Sequence, residues 1–250
     1  MIFSAITIFP QIFDAITKYG ITSRAFDNNL YSFKCYNPRD FTVDNYHRVD
    51  DKSFGGGPGM VMMIEPLEKS LEKAILDQNN QGVKKPLKVF LSPQGKTINQ
   101  DLIKSLSCAD GIIFVCGRYE GVDERFIENN IDLEISVADI VVSGGEIPAA
   151  LIMDAIIRTI PGVVNDSESI QLDSFMDNLL DYPHYTQPKV YKGHSVPDVL
   201  LSGNHKQIKE WRLKMSLWRT KMRRPDLLIK RKLSKLETRL LNELAIDENH

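Results

Sequence analysis

The chain has 250 residues, of which 42% are apolar and 26% charged, and its formal net charge is −2. These are ordinary values for a soluble globular protein with room for a sizeable core and one or two domains. No apolar run is long enough to span a bilayer, so no membrane partner is expected.

The chain opens on MIFSAITIFPQIFDAI, which lacks the basic leader and small-residue cleavage site of a signal peptide. Ile2–Phe9 reads as a buried first strand, and Pro10–Tyr19 as a helix with Ile12, Phe13 and Ile16 on one side. The glycine-rich stretch Gly55, Gly56, Gly57, Pro58, Gly59 permits close approach of backbone to a ligand. Asp50 and Asp51 stand just before it as acceptors for a base. Leu87–Leu91 and Gly111–Cys116 are apolar enough for buried strands, ending in the loops SPQGK and GRYEG. Ile135–Val142 gives a third such run, followed by SGGE. Short apolar runs alternating with helical patterns mark an α/β fold with a mainly parallel sheet. In such sheets ligands sit beyond the carboxyl ends of the strands, so these loops are the expected place for a small ligand. Pro148 lies where a helix starts, and Ala149–Ile160 is apolar on nearly every face, as a helix buried in a core or a dimer interface would be.

From Pro161 to Pro188 the pattern breaks. The stretch is polar and acidic, with Asp166, Glu168, Asp173, Asp177 and Asp181, and carries no Lys or Arg. It reads as an interdomain linker, residues 161–188, between a domain of 1–160 and a small helical domain of 189–250. In the latter, Ile208, Trp211, Met215, Trp218 and Met222 step by three and four along one helix face, which reads as core. Gly203 and Asn204 supply its start signal. Arg223-Arg224-Pro225 ends it, and Ser234–Glu237 has the pattern of a capping box for a last helix bearing Leu236, Leu240 and Leu244.

Charge divides along the same line. Residues 206–235 carry 12 Lys or Arg against Glu210 and Asp226, or +10, whereas residues 1–205 carry 18 basic and 27 acidic groups, or −9. Such asymmetry points to a polyanion bound through the C-terminal part, with Lys209, Arg212, Lys214 and Arg219 on the faces away from the apolar stripe. Cys35, Cys108 and Cys116 are odd in number and lack metal-ligand spacing. Cys108 and Cys116 read as buried thiols, and a reducing cytoplasm is the expected compartment. Gly95-Lys96-Thr97 imitates the end of a phosphate-binding loop, but Phe90 stands where that motif needs glycine.

Taken together, SFGGGPGMVMM (53–63), LSPQGK (91–96), VCGRYEGVDER (115–125), VSGGEIPA (142–149), IPGVVNDSESIQLDSF (160–175), LDYPHYTQP (180–188) and VPDVLLSGNHKQIKEWR (196–212) occur in fixed order. This series resembles the bacterial tRNA (guanine-N1)-methyltransferases of the SPOUT class, the TrmD family, from about Ile2 to Leu228. The resemblance implies a deep trefoil knot in the α/β domain, an exception to unknotted chains. It also implies an obligate homodimer with shared active sites, tRNA as partner, and S-adenosyl-L-methionine (AdoMet) as methyl donor.

By motif matching, the AdoMet pocket maps to Leu91, Ser92, Pro93, Gln94, Gly117, Arg118, Tyr119, Glu120 and Gly121. It continues through Ser136, Val137, Ala138, Asp139, Ile140, Val141 and Val142 to Gly144, Gly145 and Pro148. Ala138 and Ile140 stand where the family's segment has Gly and Tyr, and Phe54 replaces a Tyr. Asp50, Gly55, Gly56 and Gly57 join Lys209, Arg212, Lys214 and Arg219 as expected tRNA contacts.

The implied target is N1 of guanine 37, which carries a proton and is a poor nucleophile until a base removes it. Asp173 matches the family's catalytic aspartate, the general base. Arg158 matches its arginine, which steadies the negative charge developing on the base or orients Asp173. Sequence alone does not choose between Asp173 and Asp177; the motif does. Mg²⁺ dependence is implied without a readable site. Two other readings stand beside this one. A non-catalytic RNA-binding protein on a methyltransferase fold would not require intact Arg158, Asp173 and all three loops. A SPOUT enzyme acting on ribose or rRNA would lack the basic C-terminal domain.

Overall fold

The computed structural model describes residues 1–164, 170 and 173–247. Asp166 and Glu168, two of the acids read as linker, lie outside them. The chain divides into compact units of Met1–Asn165 and Asp166–His250.

The first unit is built on β1 (Ile2–Ile6), α1 (Asp14–Thr17), α2 (Gly20–Asp27), β2 (Ser32–Tyr36), β3 (Asp50–Asp51), β4 (Val61–Met62), α3 (Ile64–Asn80), β5 (Leu87–Thr97), α4 (Gln100–Leu106), β6 (Gly111–Val115), α5 (Glu124–Asn130), β7 (Leu133–Ser136) and α6 (Glu146–Ile157). Five strands form one sheet in the order β2-β1-β6-β5-β7, with every pairing parallel. Strand β6 is buried along its whole length because it lies at the centre with helices on both faces. Its side chains alternate. Ile112 and Phe114 join Phe3, Val89 and the α6 residues Ile152, Met153 and Ile156 on one face. Ile113 and Val115 join Ile6, Phe90, Leu67, Leu71 and Phe126 on the other. A short β3–β4 hairpin stands apart from this sheet.

Several boundaries differ from the sequence reading, each for a local reason. Strand β1 ends at Ile6, where the Thr7 hydroxyl accepts from Phe9 N at 2.9 Å and Pro10 opens a 3₁₀ turn. The expected helix to Tyr19 stops at Thr17, and Gly20 then takes φ +74°. The third apolar run leaves the sheet after Ser136. Its hydroxyl turns back to the Ala138 carbonyl at 2.9 Å, and Ile140, Val141 and Val142 are exposed. Strand β5 carries the SPQGK segment as an excursion: Leu91 and Lys96 both stand opposite Ile135. Gly95 is required there, since a Cβ would lie 2.4 Å from the Ile135 nitrogen.

Helix α6 is not buried on every face, because Ile147, Leu151, Asp154 and Arg158 form an exposed stripe at spacings of four, three and four. Cys116 is buried, but Cys108 is exposed after the last turn of α4, with its thiol directed to the Lys104 carbonyl.

The second unit contains the β8 (Val190–Tyr191) and β9 (His194–Ser195) hairpin, then α7 (Asp198–Leu201), α8 (His205–Arg223), α9 (Pro225–Ile229) and α10 (Lys235–Asp247). Asn204 caps α8 by accepting from Gln207 N at 3.2 Å, and Pro225 begins the next helix. The capping box is reciprocal: Ser234 N donates to Glu237 Oε2 at 2.7 Å, and Glu237 N to Ser234 Oγ at 3.2 Å. The buried face of α8 differs from the expected stripe. Ser216, Leu217 and Thr220 are its buried residues, whereas Met222 is exposed and Trp211 and Trp218 are half-buried. The small Ser216 and Thr220 accept close packing, and the Thr220 hydroxyl bonds Leu180 N at 2.8 Å. No described helix is long and apolar enough to cross a membrane.

Candidate active site

Three segments at the carboxyl ends of β5, β6 and β7 surround a cavity of about 410 Å³ in the first unit. Leu91, Ser92, Pro93 and Gln94 come from the β5 excursion; Gly117, Arg118, Tyr119, Glu120 and Gly121 follow β6. Ser136, Val137, Ile140, Val141 and Val142 follow β7, and Gly144, Gly145 and Pro148 close the ring at the start of α6. The cavity thus gathers every residue mapped to the cofactor except Ala138 and Asp139, which are not in its wall. Phe90, Val122, Glu124, Ile127, Glu134, Ile135 and Ser143 line it as well. Leu91, Ile135, Val137 and Ile140 give it apolar walls, and Ser92, Gln94, Ser136 and Ser143 add polar groups beside them. That combination suits a flat heterocycle with polar edges.

The floor is organised by a buried ion pair that the motif reading passed over. Glu146 is fully buried. It accepts from the Thr7 hydroxyl at 2.8 Å and from Arg118 Nε at 2.9 Å. Arg118 also donates to the Ser143 carbonyl at 3.0 Å, and its guanidinium lies 4.6 Å from the centre of the Phe9 ring. A charge pair removed from water holds only when its remaining donors and acceptors are met, as they are here. Gly145 is needed because a Cβ there would lie 2.8 Å from Cys116 Cα. The signal for Glu146 was legible in SGGE, as the acid closing a glycine turn. Thr7 carried no signal, since only the fold brings it across 139 residues.

A second group lies beside Tyr119, which takes φ +59°. Arg39 reaches its hydroxyl at 3.4 Å. Burial, then a hydrogen bond with the Asp50 carboxylate, raises the Tyr119 pKa. Asp50 is thereby linked to the cavity rim. Gly55, Gly56 and Gly57 all have positive φ and open space around them, and Phe54 beside them is fully exposed. Gly59 is different: a Cβ there would meet the Glu120 carboxylate at 2.4 Å, so glycine leaves room for that side chain. Arg39 was not singled out from sequence.

Arg158 caps α6 and is exposed. Asp173 lies half-buried in a turn of the second unit, its carbonyl accepting from Met176 N. Of the neighbouring acids, Asp177 pairs with Arg231 at 2.8 Å and Asp181 with His184 at 2.8 Å. Among the described residues no group of three or more His, Cys, Asp or Glu is placed to hold a metal ion.

The expected tRNA contacts in the second unit are unlike one another. Lys209 is exposed and makes no ion pair among the described residues, and Lys214 lies 3.7 Å from Glu243. The Arg212 guanidinium stacks 4.8 Å from the Tyr182 ring centre, and Arg219 is directed to the Asp181 carbonyl.

A family model described as tRNA (Guanine-1)-methyltransferase TrmD matches residues 1–230. A tRNA (guanine-N(1)-)-methyltransferase of Chromobacterium violaceum is 54% identical over 245 residues, covering 98% of this chain and 96% of its own length. One of Methylobacillus flagellatus is 52% identical over 247 residues, covering 99% and 94%. One of Pseudomonas putida (strain GB-1) is 53% identical over 239 residues, covering 95% and 94%.

Proposed function

We propose, from the premise that this chain belongs to the tRNA (guanine-1)-methyltransferase TrmD family, that it moves a methyl group from AdoMet to N1 of guanine 37 of tRNA. The supporting observation is that segments far apart in the chain, Leu91–Gln94, Gly117–Gly121 and Gly144–Gly145, meet around one cavity.

The lining fits AdoMet: apolar walls for adenine, with the polar Ser92, Gln94 and Ser136 beside them for its edges. When bound, AdoMet supplies an electrophilic methyl group on a sulfonium. The chain's residues then have three tasks. Asp173, as general base, accepts the proton from guanine N1. Arg158 holds a fixed positive charge toward guanine O6, where negative charge develops. Leu91, the glycines at 117, 121, 144 and 145, and the Arg118–Glu146 pair hold the cavity in one shape, so that donor and acceptor meet in line.

A homodimer with shared active sites is part of this reading. The exposed Ile147 and Leu151 of α6, with exposed Ile140, Val141 and Val142, form the apolar surface a partner would cover. The trefoil knot belongs to the same reading, as do the division into a knotted domain (1–160), a linker (161–188) and a tRNA-binding domain (189–250), and a cytoplasmic location. Incubation of tRNA with the protein and methyl-labelled AdoMet, followed by nucleotide mapping, tests it. Label is expected as 1-methylguanosine at position 37. Label on a ribose, on another base, or nowhere refutes it.

A further inference from the structure

The second unit has a cavity of its own, of about 350 Å³, between the segment 182–189, α7 and the first turns of α8. Its lining is mixed: Tyr182, His184, Tyr185 and Trp211 stand with Val196, Leu200, Leu201 and Ile208. The Tyr185 and Trp211 rings lie 6.4 Å apart at 52°, with Tyr185 half exposed and Trp211 half-buried. The Tyr182 ring is 4.7 Å from His184 and carries the Arg212 guanidinium over its face. Arg212 Nε is buried and makes no hydrogen bond among the described residues. Lys189 stands exposed at the edge, and the stretch 206–235 that supplies one wall has a net charge of +10.

Half-open ring faces stand here beside the Arg212 guanidinium and the exposed Lys189. Unpaired bases of RNA are held by such groups: aromatic faces to stack on, and cations for the phosphate. We propose that this cavity takes one unpaired nucleobase of the tRNA, stacked on Tyr185 and Trp211. Recognition is then not confined to phosphate contacts, because the second unit grips a base that only a loop or bulge offers.

The inference rests on the tRNA reading above, and the experiment separates the two. Binding of fluorescently labelled tRNA is measured by anisotropy over a series of salt concentrations for wild type, Tyr185→Ala and Tyr185→Phe. Tyr185 is half exposed, so its loss leaves the buried Leu217, Leu227 and Leu240 untouched. Tyr185→Ala is expected to bind about tenfold more weakly, the size of one lost base–aromatic stack. Its salt slope is expected to stay at the wild-type value, since stacking releases no counterions. Tyr185→Phe, which keeps the ring, is expected within about twofold of wild type. In a Trp218→Phe background Trp211 is the sole indole, and saturating tRNA is expected to quench it. Wild-type methylation of tRNA together with undiminished binding by Tyr185→Ala, or with unquenched Trp211, overturns the base site alone. Failure of wild type to bind tRNA at all overturns the tRNA reading and this inference with it.

Discussion

The cavities of the two units hold their arginines in opposite ways. Arg118, in the first unit, is fixed by Glu146, by the Ser143 carbonyl and by the Phe9 ring. Its charge is spent inside the protein, and its work is to hold the cavity in shape. In the second unit Lys209 points to solvent and Arg212 rests on an aromatic ring. On the proposed reading a small cofactor is held to within a fraction of an ångström for in-line transfer, and the locked Arg118–Glu146 pair would give its pocket that rigidity. A polyanion is recognised largely by summed charge, which tolerates mobile side chains.

The contrast is broken most severely at Glu146. Glu146→Ala leaves Arg118 with an uncompensated charge in a buried setting, and folding stability is expected to fall by about 3–5 kcal/mol. Chemical denaturation measures it, and a loss under about 1 kcal/mol would show that the pair is not what fixes the cavity.

A smaller effect, confined to chemistry, is expected at Asp173. Asp173→Asn preserves shape but cannot take a proton, so single-turnover methylation should slow by about 10²-fold or more, with AdoMet affinity unchanged by calorimetry. Near-wild-type turnover would remove Asp173 from the role of base.

The mildest change sharpens the comparison from the other side. Lys209→Ala should lower the slope of log tRNA affinity against log salt by somewhat under one unit. Arg224→Ala should lower it less, because Asp226 already accepts from Arg224 Nε at 2.9 Å and Nη2 at 2.8 Å. Equal slopes for the two variants would mean that the pairing with Asp226 is given up when tRNA binds. AdoMet affinity is expected to be the same in both, since neither residue lines that cavity.

The mainly parallel sheet was legible in four of its five strands, because buried strands such as GIIFV are apolar throughout and need helices on both faces; β2, only partly apolar as SFKCY, was not read. Helix signals with local chemistry were equally legible: Asn204 as a cap, Pro225 as a break, Ser234 and Glu237 as a capping box. Side-chain periodicity was less informative in α8. It reported a stripe of large apolar residues, yet the tightest packing falls on Ser216, Leu217 and Thr220. Hydrophobicity alone does not reveal where a neighbour comes closest.

By itself the sequence determined four of the five sheet strands, the helices that carry their own caps and breaks, the charge asymmetry between the two parts and, through its ordered motifs, the family. Each rests on neighbouring residues or on a linear pattern. Only the tertiary structure decided which distant residues meet. It brought Thr7 to Glu146, put Leu91 and Lys96 opposite the same Ile135, and set Tyr185 beside Trp211 around a cavity. It also turned Ile140–Val142 outward, although their apolarity reads as core. Burial and pairing are properties of what packs against a residue, and in a sheet of crossover connections those neighbours come from far along the chain.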